Sequence, residues 1–332
     1  MANVAVIGAT VWGSTLGKLL ADKGIAVTVW ARNEPKAVEL RQEQRRRSLK
    51  VGLSSRPYFT SNVDEALHSA EFVIWAVPAQ SLRQNVRQVR DYLTASMIQV
   101  SVAKGLEMDT GKRMSEVIAE EATVALPEWV CALSGPNLAK EINKGLPATS
   151  VIAGKDVEVT KKVQRLFDSA NFAVFASDDI IGVELCGALK NIIALGAGMI
   201  DGLGLGNNAK AAFITMGWTE AVSLGVALGA RETTFYGLAG LGDLIATCQS
   251  PLSRNHYVGC ELGKGRSLSE ITASMSNIAE GVDTAMAAHH LVSRSGLEVP
   301  VIDLIYRALF ESLSPIEVLA RFKSGLKPEA AI

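Results

Sequence analysis

Apolar positions recur along this chain with two periods, and the two periods alternate. Residues Asn3 to Gly8 form an apolar, β-branched run closed by glycine, the pattern of a strand buried on both faces. From Trp12 to Lys23 the apolar positions take helical spacing, and Gly24 stands where a helix ends. Ala26 to Trp30 predicts a second strand. A strand–helix–strand unit of about 30 residues opens a doubly wound sheet. Glu34 to Lys50 predicts a helix, and its run Arg45-Arg46-Arg47 reads as a solvated face. Then follow a strand over Phe72 to Val77 stopped by Pro78, an amphipathic helix over Ser81 to Leu93, and a strand over Met97 to Val102. Lys112 to Glu121 predicts a helix and Trp129 to Leu133 a strand. Strand and helix alternate throughout, so this half is α/β.

Near Ser177-Asp178-Asp179 the strand pattern stops. Beyond it the spacing is helical, with helix stops such as Gly229 and Gly296. Two domains are expected, 1–178 and 179–332, the second all-helical. The longest apolar stretch, Ile180 to Ile200, carries Glu184, Lys190, Asn191 and several glycines. A lysine at mid-membrane is costly, so this is expected to be a core helix and not a membrane span. With no basic segment and apolar signal core at the N-terminus, a cytoplasmic protein is expected.

Composition narrows the class. The 332 residues are 48% hydrophobic and 20% charged, enough for a large core and unlike a disordered chain. A formal net charge of -1 argues against a broad surface for nucleic acid or anionic lipid. The four cysteines, Cys131, Cys186, Cys248 and Cys260, form no Cys-x-x-Cys pair, and no His-x-x-x-His element exists. Free thiols and no metal are expected. No Ser-His-Asp order or Gly-x-Ser-x-Gly elbow points to acyl transfer.

The candidate chemistry lies in five places. Gly8-Ala9-Thr10-Val11-Trp12-Gly13 joins the first strand to the first helix, where free amides and the helix dipole attract phosphate. The dinucleotide fingerprint wants glycine at the third position of this run, which Thr10 occupies; its hydroxyl could bond the cofactor and its β-branch could push it outward. With the strand–turn–helix context, this gives a Rossmann-like dinucleotide-binding domain. After the second strand an acidic residue would hold the ribose of NAD, but Ala31-Arg32-Asn33 stands there, and Arg32 can pair with a 2′-phosphate; NADPH is expected over NADH. Lys104, just past a strand, lies where a parallel sheet meets its ligand. Ser134-Gly135-Pro136-Asn137 is a strand-to-helix turn whose amides could meet phosphate. In the apolar helix, Glu184 and Asn191 share a face, and Lys190 beside them is suited to proton donation, because burial eases loss of an ammonium proton. Asp243, after a glycine-dense run, reads first as a helix cap. Ser253-Arg254-Asn255 offers a bidentate phosphate binder with further donors.

Together these residues resemble the bacterial-type NAD(P)-dependent glycerol-3-phosphate dehydrogenase family, from Val4 to about Leu319. The most specific segments are Ala103-Lys104-Gly105-Leu106-Glu107, Ser134-Gly135-Pro136, Gly187-Ala188-Leu189-Lys190-Asn191, Gly240-Leu241-Gly242-Asp243-Leu244, Ser253-Arg254-Asn255 and Glu280-Gly281. The resemblance implies NAD(P)H-dependent, reversible reduction of dihydroxyacetone phosphate to sn-glycerol 3-phosphate, feeding phospholipid synthesis, in a homodimer with its active site between the two domains. It implies Lys190 as acid/base, with Lys104 beside the substrate and Asp243 orienting Lys190 or a substrate hydroxyl. Gly135, Asn137, Asp243, Ser253, Arg254 and Asn255 would bind glycerol phosphate, with Asn191 and Thr247 joining the polar wall. Val11, Trp12, Arg32, Lys104, Ala139, Arg254, Ile278 and Glu280 would contact the cofactor, with Gly8, Thr10 and Gly13 forming the turn under its pyrophosphate. Asn137 departs from the threonine of many relatives. Two rival readings are a related hydroxyacid dehydrogenase and a non-catalytic dinucleotide sensor.

Overall fold

A computed structural model describes residues 2–51, 56–275, 279–311, 313 and 317. The chain divides into two compact units, one of Met1–Ala103 with Met114–Ile180, the other of Lys104–Arg113 with Ile181–Ile332. The segment Lys104–Arg113, which interrupts the first unit in sequence, thus packs with the helices of the second.

The first unit holds the strands, β1 (Asn3–Ile7), β2 (Ala26–Trp30), β3 (Tyr58–Thr60), β4 (Phe72–Trp75), β5 (Ile98–Ser101), β6 (Val130–Ser134), β7 (Ala148–Gly154) and β8 (Phe172–Ser177). Among the described residues they form one sheet in the order β3-β2-β1-β4-β5-β6-β7-β8. Every pairing is parallel except β6 with β7, so β7 and β8 run opposite to the other six strands and the sheet is mixed. Its helices are α1 (Val11–Asp22), α2 (Glu34–Val51), α3 (Val63–Leu67), α4 (Ala79–Val89), α5 (Met114–Glu121), α6 (Ala139–Ile142) and α7 (Val157–Phe167).

The two-residue period of β1 builds two cores at once. Val4 and Val6 face one side and pack with Leu16 and Leu20 of α1 and Val163 and Phe167 of α7. Ala5 and Ile7 face the other, with Leu82 and Val86 of α4 and Val117 and Ile118 of α5. A strand covered on both faces has no polar position to spare, which is why β1 is a continuous apolar run.

The second unit is helical: α8 (Ile180–Gly202), α9 (Gly206–Ala227), α10 (Glu232–Phe235), α11 (Asp243–Gln249), α12 (Arg254–Gly263), α13 (Leu268–Ala273), α14 (Glu280–Ser295) and α15 (Pro300–Phe310). Helix α8 is long and apolar enough to cross a membrane by length and composition, but it is almost wholly buried inside the protein, as a core helix. Its glycines explain how. A Cβ at Gly198 would lie 2.1 Å from the His256 carbonyl oxygen, and one at Gly259 would lie 1.9 Å from that of Leu195. Gly202 and Gly263 extend the same seam. Helices α8 and α12 therefore cross backbone to backbone, at a separation no larger residue permits.

Helix α15 is seated on α9 through one carboxylate. Pro300 opens α15 without an amide to satisfy, and the next two amides, of Val301 and Ile302, donate to Glu220 of α9 at 2.8 and 3.0 Å. Burial pushes the Glu220 carboxyl up from 4.5 to about 7, against the opposing pull of those two amides; Asp303 adds to the rise. A pKa raised on folding contributes stability that is complete below about 4.5 and lost as the pH rises through about 7. The melting temperature of the wild type relative to Glu220→Gln is expected to fall by a few degrees across that window. A difference independent of pH, followed by calorimetry, would contradict this.

Candidate functional site

In the first unit the turn after β1 is shaped by close approach. Gly8 has φ +114, and a Cβ at Gly13 would stand 2.1 Å from the Gly8 carbonyl oxygen, so both positions require glycine. Thr10 caps α1: its Oγ1 accepts from the Gly13 amide at 3.0 Å and donates to the Ala76 carbonyl at 2.8 Å. The hydroxyl considered above as a cofactor contact is thus committed to the protein's own backbone. The first-turn amides of Val11 and Trp12 have no carbonyl to reach within the helix and stay at its open, positive end. Val11 is exposed and Trp12 half-buried against the core. The turn therefore fits a pyrophosphate, with backbone amides supplying what the threonine does not.

Arg32 is exposed just beyond β2. The nearby carboxylate that could have served a ribose, Glu34, accepts from Ser61 Oγ at 2.7 Å and is paired with Arg41. Those hydrogen bonds, the one from Ser61 first, hold its carboxyl below the ordinary glutamate value. The end of β2 thus presents an exposed guanidinium.

At the end of β6, Gly135 is buried at φ +147 and Asn137 follows it. Asn137 donates Nδ2 to Ser150 Oγ of β7 at 2.9 Å, and Ser150 donates to the Ser134 carbonyl at 3.0 Å. The Asn137 Oδ1 is buried with no hydrogen-bond partner among the described residues. Ala139 begins α6 and is half-buried.

The second unit gathers the ionisable groups. Asp243 opens α11 after a π-helical turn over Leu238–Gly242, and its side chain caps nothing there. Asp243 is 2% exposed, and its carboxylate binds two ammonium groups, Lys190 Nζ at Oδ1 (2.8 Å) and Lys104 Nζ at Oδ2 (2.7 Å). Lys190, on the buried face of α8, also donates to Thr247 Oγ1 at 2.6 Å, one turn along α11. Burial would raise the Asp243 carboxyl, but the two ammonium charges outweigh it and hold it below its ordinary value. Lys104 is lowered to about 8, chiefly by burial, with repulsion from Lys190 adding and attraction to Asp243 and Glu280 opposing. The Cys248 thiol beside them is pushed up to about 12 by burial and is inert.

A chain of amides ties this cluster to two other helices. The Gly281 amide at the start of α14 donates to Asn255 Oδ1 at 2.9 Å. Asn255 Nδ2 donates to Asn191 Oδ1 at 2.8 Å, and Asn191 Nδ2 donates to the Lys104 carbonyl at 2.9 Å. The glycine seam between α8 and α12 lets these two asparagines meet. Ser253 caps α12 by accepting from the His256 amide, which leaves Arg254 exposed at that helix start.

The second unit therefore brings together Lys104, Lys190, Asn191, Asp243, Thr247 and Asn255, with Glu280 acting on Lys104 and Arg254 beside Asn255. The first unit holds Gly8, Thr10, Val11, Trp12, Gly13 and Arg32 at one turn and the next strand end, and Gly135, Asn137 and Ala139 at another. Ile278 lies outside the described residues. Sequence reasoning missed Ser150, the Gly281 amide and Arg113, whose guanidinium meets the Glu184 carboxylate at 2.7 Å. No spacing rule flags these, since each partner is distant in sequence. No group of three or more metal-ligating side chains occurs among the described residues.

Similarity to known proteins spans both units. Residues 3–160 match the model of the NAD-dependent glycerol-3-phosphate dehydrogenase N-terminus, and residues 179–320 that of the C-terminus of the same family. A glycerol-3-phosphate dehydrogenase (NAD(P)+) of Dehalococcoides mccartyi is 51% identical over 320 residues, 96% of this chain and 89% of that one. One of Chlorobium limicola is 46% identical, over 93% of each chain. The crystal structure of glycerol-3-phosphate dehydrogenase from Coxiella burnetii superposes with a TM-score of 0.90 at 30% identity, covering 97% of this chain and 98% of that one. With a dinucleotide turn in one unit, a buried lysine–aspartate cluster in the other and matches across both, this chain belongs to the NAD-dependent glycerol-3-phosphate dehydrogenase family.

Proposed function

We propose that this chain reduces dihydroxyacetone phosphate to sn-glycerol 3-phosphate, reversibly, with NADPH preferred over NADH. The observation that carries the reading is the buried carboxylate of Asp243 holding the ammonium groups of Lys190 and Lys104. A nicotinamide, when bound, supplies the hydride. As charge grows on the ketone oxygen, Lys190 Nζ stabilises it and gives up its proton. Asp243 and Thr247 fix the direction in which Lys190 points, and Lys104 adds a second positive charge near the substrate. Arg254 offers a forked donor to the substrate phosphate, and Asn255, two of whose side-chain bonds are already made, has one N–H left to add. Asn191, Ser253, Gly135 and Asn137 complete the polar wall, and the unpartnered Asn137 Oδ1 is an acceptor suited to a hydroxyl.

For the cofactor, the Val11 and Trp12 amides meet the pyrophosphate over Gly8, Thr10 and Gly13, and Arg32 pairs with the 2′-phosphate. Ala139, Arg254, Ile278, Glu280 and Lys104 complete the cofactor contacts. A cytoplasmic homodimer that supplies phospholipid synthesis is part of the same proposal, and it rests on the family membership.

Lys190→Met removes the acid without adding bulk. It is expected to lower kcat for dihydroxyacetone phosphate by roughly 10²–10⁴-fold while NADPH still binds. Absorbance of the reduced nicotinamide measures turnover, and a near-normal kcat in a folded variant would refute the assignment.

Arg32→Ala is expected to raise the KM for NADPH by about tenfold or more, the cost of a lost charge-assisted pair, and to leave that for NADH nearly unchanged. Equal losses with both cofactors would remove Arg32 from the 2′-phosphate.

A further inference from the structure

Lys104 sits on a connecting segment, and a lysine on a loop does not hold its place unaided. The segment Lys104–Arg113 closes on itself: Leu106 and Arg113 are bridged antiparallel, the Glu107 amide donates to the Lys112 carbonyl at 2.9 Å, and the Gly111 amide donates to the Glu107 carbonyl at 2.8 Å. Gly111, at φ +70, abuts Leu291 of α14. The closed segment is then fastened to α8 at its two ends. Asn191 Nδ2 holds the Lys104 carbonyl at 2.9 Å, and the Glu184 carboxylate holds the Arg113 guanidinium at 2.7 Å. Glu184 and Asn191 lie two turns apart on one helix face, so a single rigid edge fixes both ends of the segment.

We infer that the Arg113–Glu184 ion pair is a positioning device for Lys104, setting where the segment lies along α8 and so where the Lys104 ammonium meets Asp243. The pair is itself largely desolvated, with side-chain exposures of 16% and 5%, so it is stronger and more exact in geometry than a surface pair. The charges acting most strongly on Lys104 are Asp243 from α11, Lys190 from α8 and Glu280 from α14. Arg113 and Lys104 are the two ends of one closed segment, so the ion pair at one end acts on the lysine at the other through the backbone. A loosened segment lets water reach Lys104 and relieves the burial that lowers it. The inference rests on the dehydrogenase reading above, in which Lys104 faces the substrate.

Two variants and two readouts test it. Glu184→Gln keeps the shape and removes the charge, and Arg113→Lys keeps the charge and removes the fork. The first is the lesion and the second a partial rescue; should Glu184→Gln fail to fold, Arg113→Gln takes its place beside Arg113→Lys. In Glu184→Gln, kcat for dihydroxyacetone phosphate is expected to fall about tenfold or more, as misplacement of a catalytic group does, with NADPH affinity by fluorescence titration within about twofold of wild type. Arg113→Lys should lose less. Independently of turnover, the Lys104 titration, followed by NMR of 13C-labelled lysine and assigned with Lys104→Arg, should move up from about 8 toward the ordinary lysine value. A lower melting temperature with kcat and the Lys104 midpoint both unchanged would overturn the inference and leave the pair a structural staple. A wild type with no turnover of dihydroxyacetone phosphate would overturn the functional reading instead, and the NMR titration would still decide the positioning role.

Discussion

One buried carboxylate shared by two ammonium groups sets the terms for the rest of the catalytic unit. Lys190 is buried and Lys104 half-buried beside it, and the Asp243 carboxylate, bound to both ammonium groups, offsets the repulsion between them. Such an arrangement tolerates little looseness, because removing the Asp243 charge leaves two ammonium groups uncompensated in a poorly solvated place. In the proposed reaction this surplus of positive charge, held in advance of the substrate, stabilises the growing alkoxide beside the phosphate.

The surrounding architecture can be read as what keeps those three groups in register. Helix α8 contributes Lys190 and Asn191, and its glycines admit α12 to backbone contact. That contact is what brings Asn255 to Asn191, and through Asn255 the start of α14 is tied to the Lys104 carbonyl. Four elements distant in sequence are therefore coupled by three hydrogen bonds between buried amides. In the proposed reaction, Glu280 at the start of α14 and Arg254 at the start of α12 serve cofactor and substrate, so the same bonds give the binding groups and the acid a common frame.

Much of this was legible in the sequence. The alternation of strand and helix to Ser134, the helical second half and the core character of α8 follow from periodicity, because strands covered on both faces must be apolar throughout. Strands β3, β7 and β8 were not foreseen. Tyr58–Thr60 is too short for any period to register, Ala148–Gly154 carries threonine, serine and glycine, and Phe172–Ser177 is an edge strand exposed toward its end. The reversal of β7 and β8 is set by pairing and leaves no local mark. Among candidate site residues, Lys190 stood out as a cation in an apolar helix. Asp243 read locally as a cap, and its true partners lie far away in the chain. Thr10 read as a possible cofactor donor, whereas its hydroxyl closes the first turn of α1. Arg113 carried no signal, since its meaning depends on a segment folding back onto α8.

If Asp243 holds the two lysines in their working positions, Asp243→Asn should expose it, because that change removes the charge and almost nothing else. Steady-state reduction of dihydroxyacetone phosphate by this variant, with the fold checked by circular dichroism and NADPH binding by fluorescence, is the measurement. The expected result is a kcat lower by about 10²-fold or more while NADPH still binds, the scale on which loss of preorganised electrostatics acts. A folded Asp243→Asn enzyme with kcat within about threefold of wild type would contradict it.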